Sequence, residues 1–126
     1  MITEKLKNRL TADLSSLGLP VGEVNLVIRP YSSTYYGNYF PQYDKEGKPR
    51  IYIYPFRDRG GRMYEYSFVV DTFIHEMCHH LQHTDPRWIR VEGVMHDPEF
   101  WRLYNKYIFR AKLTGVIRNG YKGKAA

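Results

Sequence analysis

The sequence predicts an α+β domain in which one helix, a small three-stranded sheet and two further helices follow one another. Three observations carry this. Leucines spaced by four, four and three residues open the chain. Three short runs of β-forming residues bounded by Pro and Gly come next, and two longer segments with helical apolar stripes complete it.

Residues 3–17 place Leu6, Leu10, Leu14 and Leu17 on one stripe, and Gly18 with Leu19-Pro20 supplies the stop. In Val24–Ile28 the alternation of Val24, Leu26 and Ile28 reads as a half-buried strand ended by Pro30. Thr34–Phe40 makes a second strand, with Gly37 marking a bulge or a close approach. Asp44–Pro49 is a turn, and Arg50–Tyr54 a third strand stopped by Pro55. After Gly60-Gly61 a helix runs from about Ser67 to His83. A connection from Thr84 to Met95 leads to the last helix, Pro98 to about Leu113, with Asp97 as N-cap, Pro98 at its first position and Gly115 at its stop. Residues 1–115 are thus expected to form one domain, with 116–126 a basic, flexible tail.

A chain of 126 residues is long enough to build a core without staples. The lone cysteine, Cys78, excludes an internal disulfide and fits a reducing compartment. The first residues lack the apolar stretch of a signal peptide, and no run is long enough to span a membrane, so a soluble, cytoplasmic protein is expected. Nineteen Lys and Arg against 13 Asp and Glu leave a net charge of +6, which raises affinity for polyanions. The segment Arg110–Lys124 holds Arg110, Lys112, Arg118, Lys122 and Lys124 with no acid among them. Weak, non-specific nucleic-acid binding is the expectation there, with Tyr121 available to stack on an unpaired base.

All five histidines lie between positions 75 and 96, centred on His75-Glu76-Met77-Cys78-His79, which fits the pattern HExxH. Histidines four apart on a helix share one face and can reach a single ion. The Glu between them can take a proton from water without being a ligand. At about 100° per residue, Val70, Phe73, Ile74, Met77, Cys78 and Leu81 gather opposite His75, Glu76, His79, Thr72 and His83. The helix is expected to have a core face and a chemical face, with Cys78 a small hydrophobe on the former.

The third ligand has several candidates. His83 stands about 12 Å along the axis from His75, too far to share one ion, and His80 is rotated about 100° from His79 and looks away. Glu92 and Glu99 are eligible because zinc accepts carboxylate oxygen. His96 is better placed, opening the next helix in line with Phe100, Leu103 and Tyr107, the stripe that must pack inward. Three protein ligands leave the fourth position open, the catalytic arrangement of zinc.

HEMCHH followed by HDPEFW resembles the SprT-like zinc metalloproteases, in which HExxH on one helix is completed by a histidine opening the next. His96, Phe100 and Trp101 match the signature that follows the third ligand, and the likeness covers about residues 67–110. It implies a zincin-like core, with zinc on His75, His79 and His96, Glu76 as catalytic base, and a protein or peptide substrate. It also implies an association with DNA-bound proteins. The cysteine-rich ribbon of many such proteins has no counterpart in these residues, whose sole cysteine is Cys78. In zincins the substrate lies along an edge strand just before the motif helix, which points to Arg50–Tyr54. Two other functions share the pattern: a DNA-associated module with a structural zinc, and a zinc hydrolase of a non-peptide amide.

Overall fold

A computed structural model of the chain describes residues 2–42 and 45–123. Helix α1 spans Ile2–Ser16, and a 3-10 turn, Val21–Glu23, leads into β1 at Asn25–Ile28. Strands β2 (Gly37–Phe40) and β3 (Arg50–Ile53) follow, then the long helices α2 (Tyr66–Thr84) and α3 (Pro98–Thr114). The α+β class and the element order agree with the sequence reading. Asp44, the first residue of the expected turn, lies outside the described residues.

Sheet order is β1-β3-β2, with β1 parallel and β2 antiparallel to β3. This corrects one expectation. Arg50–Ile53 is the central strand, its backbone engaged on both sides: Ile51 faces Leu26 across one ladder and Tyr39 across the other. The edge beside α2 is β2. Burial explains the order, because Ile51 and Ile53 are fully enclosed whereas every residue of β2 is only half-buried. The second strand is also shorter than expected. The Ser32 hydroxyl accepts the N–H groups of Thr34 and Tyr35 and bends the chain before Gly37.

The expected stripe Leu6, Leu10, Leu14 and Leu17 enters the core, where it meets Val24, Leu26, Phe73, Ile74 and Met77. Helix α2 is less two-faced than its periodicity implies. Held between the sheet, α1 and α3, it buries Asp71, Thr72, Glu76, His80 and Gln82 as well as its apolar residues. Helix α3 starts on the predicted cap: the Asp97 carboxylate accepts the Phe100 N–H at 2.8 Å. It ends at Gly115, whose left-handed conformation (φ 79°) suits glycine.

The basic tail is not loose through residue 123. Ile117 is fully buried, the Arg118 N–H donates to the Ser67 hydroxyl at 2.9 Å, and the Arg118 guanidinium pairs with Glu65 at 3.1 Å. The Tyr121 hydroxyl donates to Asp71 at 2.7 Å. Two apolar anchors and a buried carboxylate thus outweigh the glycine- and lysine-rich composition. Tyr121 is therefore unavailable for base stacking, and Arg110 is partly spent on the Leu17 carbonyl at 2.6 Å. Lys124 lies outside the described residues. No described helix is long and apolar enough to cross a membrane.

Candidate metal centre

Helix α2 carries His75 and His79 one turn apart, and the residue before the N-cap of α3, His96, comes to meet them. The three side chains each present a ligand nitrogen within 4.8 Å of the other two. The Nε2 atoms of His75 and His96 are 3.1 Å apart. Phe100, fully buried one turn into α3, forms the floor under all three imidazoles, with centroid separations of 4.9, 4.6 and 4.7 Å from His75, His79 and His96. Trp101 closes the side next to His75 and His96.

The local sequence accounts for this placement. Spacing of four puts His75 and His79 on one helix face. His96 is held by its neighbour, because Asp97 also accepts from Gln82 Nε2 at 2.8 Å on α2 and from the Trp88 indole at 3.0 Å on the connecting loop. These hydrogen bonds, Trp88 foremost, hold the Asp97 carboxyl below the usual carboxylate range. The start of α3 is thereby clamped to the C-terminal half of α2.

Burial, reinforced by the neighbouring His96 and His83, pushes the His79 imidazole down to about 4. Burial also lowers His96. Both rings therefore present neutral nitrogen lone pairs near pH 7, the state a metal requires. Of the rival ligands, Glu99 turns away to Arg102, with contacts of 2.8 and 2.6 Å, and Glu92 is exposed outside the cluster. Burial pushes the Cys78 thiol up to about 12, with Glu76 adding to the effect, so it stays protonated inside the core.

A cavity of about 520 Å³ opens over the triad. Glu76 lines it together with His75, His79 and His96, and β2 forms the facing wall. Gly37 allows that wall to come close. A Cβ there would stand 2.8 Å from Thr72 Cγ2 and 3.3 Å from Glu76 Cγ. The close approach read from the sequence is therefore present, and its partners are the motif helix.

Sequence reasoning missed several residues here. His80 is enclosed, between Glu23 at 2.8 Å from its Nε2 and the Tyr39 hydroxyl at 2.9 Å from its Nδ1. Because a carboxylate only accepts, Nε2 carries hydrogen and donates to Glu23. This chain ties β2 and the 3-10 turn to α2, and it commits the Tyr39 phenol at the cavity wall. Arg90 and Met95 line the same cavity. A phenol packing with alternating β-formers was the available signal for Tyr39; nothing local marked Arg90.

No protein-family model, curated protein or solved structure matches the chain.

Proposed function

We propose that the chain is a zinc-dependent peptidase of the SprT-like kind, with His75, His79 and His96 as metal ligands and Glu76 as general base. The observation that carries this reading is the convergence of three imidazoles over Phe100 in the same cavity as Glu76. The residues fit zinc. Two nitrogens bound tetrahedrally at about 2.0–2.1 Å lie roughly 3.3 Å from each other, close to the 3.1 Å between His75 and His96. An apolar floor and a cluster limited to three nitrogens favour a site that leaves a coordination position for chemistry.

Zinc held there supplies Lewis acidity, lowering the pKa of water towards about 7 and polarising a carbonyl. Glu76 accepts the proton of the attacking water and returns it to the departing amine. Burial limits competing water around its carboxylate, since only 7% of the residue is exposed. Strand β2 is the sheet edge on the cavity, so an extended peptide is placed along Gly37–Phe40. Main-chain pairing with that edge gives affinity with broad side-chain tolerance.

The test is hydrolysis of an unfolded protein by zinc-loaded chain, with and without single-stranded DNA, beside Glu76→Gln. Fragments are expected from the wild type and are reduced by about 10²-fold or more in Glu76→Gln. Equal fragmentation by Glu76→Gln would remove Glu76 from the mechanism. No fragments from either, with zinc bound, would move the reading to a non-peptide amide or a structural metal.

A further inference from the structure

The cavity over the triad carries an unexplained charge. Arg90, on the loop between α2 and α3, is the single Lys or Arg among the described residues lining it. Its guanidinium makes no hydrogen bond or ion pair with any described residue, whereas Arg62, Arg87, Arg102 and Arg118 all pair with carboxylates. Burial, with Arg90 close by, lowers the His83 imidazole below its ordinary value. The chain neighbours of Arg90, Ile89 and Val91, are apolar and exposed, as is Met95, and the exposed Glu92 two residues on does not line the cavity. Among the described residues lining the cavity the one acidic side chain, Glu76, is enclosed on the motif helix.

We propose that Arg90 is a specificity-determining residue that selects peptides carrying a carboxylate near the bond over the triad. The carboxylate is either an acidic side chain or a free chain terminus. The inference rests on the peptidase reading for the ligand's being a peptide. The chemistry is direct. A guanidinium offers a planar pair of donors matched to a carboxylate, and an unpaired one at a cavity rim gains a partner from the ligand without breaking an internal bond. A basic side chain at the same place meets repulsion, so discrimination comes from both signs.

The experiment measures binding separately from cleavage. Labelled peptides of one sequence are titrated by fluorescence anisotropy against full-length, zinc-loaded Glu76→Gln protein. One series carries Asp or Asn in turn at each position, with the C-terminus amidated, and another is neutral with a free or amidated C-terminus. The proposal expects one Asp position, or the free terminus, to bind about three- to fivefold more tightly than its neutral counterpart at low salt, and less so as salt rises. The two series tell the sources apart. Adding Arg90→Gln abolishes the preference, and Arg90→Glu transfers it to Lys at that position. Equal affinity for acidic and neutral peptides, or a preference that survives in Arg90→Glu, overturns it. Wild-type cleavage of the same peptides is scored in parallel. Acid-selective binding without cleavage removes the peptidase reading and leaves the role of Arg90, whereas cleavage indifferent to charge does the reverse.

Discussion

The Trp88 indole donates to Asp97 Oδ2 at 3.0 Å, joining the loop after α2 to the residue that follows His96. With the Phe100 and Gln82 contacts on the other oxygen, one half-buried carboxylate fixes where α3 begins and hence where His96 stands. Asp97→Ala loses the helix cap, a cost of about 0.5–2 kcal/mol, and leaves Gln82 without its acceptor. Denaturant unfolding is expected to register a loss in that range, and zinc titration a weaker affinity, with Asp97→Asn nearer wild type because it keeps the cap. An Asp97→Ala protein of full stability and affinity would show that His96 is placed by other contacts.

Gly37 governs the distance between the cavity wall and the motif helix. A methyl group there meets Thr72 Cγ2 at 2.8 Å, so Gly37→Ala forces β2 or α2 to move. Overpacking of this kind costs about 1–3 kcal/mol. Thr72→Ser removes the obstructing methyl while keeping the hydroxyl that donates to the Phe68 carbonyl at 3.0 Å. The double variant is therefore expected to recover part of the loss. Additive losses in a double-mutant cycle would mean that the two positions are not in steric conflict.

Two buried phenols titrate against one carboxylate. Tyr104 and Tyr121 donate to opposite oxygens of Asp71, and burial followed by these hydrogen bonds raises both above the ordinary tyrosine value of 10.0. Tyr66, half-buried and donating to Asp13, is raised in the same direction, by burial first. A proton held more tightly in the folded than in the unfolded chain gives stability that is complete below pH 10. That stability falls as pH rises above it, by ~1.4 kcal/mol per pH unit for each such proton. Phenolate absorbance should therefore show these three tyrosines ionising only together with alkaline unfolding. Asp71→Asn should lower the pH of that unfolding and release the segment around Tyr121. A single titration of all tyrosines near 10 in the folded protein would contradict these contacts.

What was legible in the sequence was local. Asp97, Pro98 and Gly115 mark the ends of α3 by backbone chemistry alone, and His75 with His79 share a face by helical period alone. His96 followed from the stripe that includes Phe100, which does pack inward beneath it. What escaped was non-local. The central position of β3 depends on a parallel partner 25 residues away, Asn25 opposite Arg50, and strand runs of equal length carry no mark of order. His80 does turn away from the triad, as its rotation from His79 implies, but its cover, Glu23 and Tyr39, comes from 57 and 41 residues upstream and was not foreseen. The tail composition hid Ile117 and Tyr121 among glycines and cations, and only the buried Asp71 gives them a destination. The nucleic-acid expectation is reduced accordingly to the charge of Lys112, Lys122 and their neighbours, without a stacking ring.

The proposal turns on one metal bound by three imidazoles, two from α2 and one from just before α3. Its most direct measurement is zinc content by elemental analysis after dialysis, for the wild type and for His75→Ala, His79→Ala and His96→Ala. One zinc per chain is expected in the wild type, with loss or marked weakening in every variant and retention in Glu76→Gln, since Glu76 shares the cavity but is not one of the converging ligands. A wild-type protein that holds no zinc, or a His96→Ala protein that holds a full equivalent, would contradict the account.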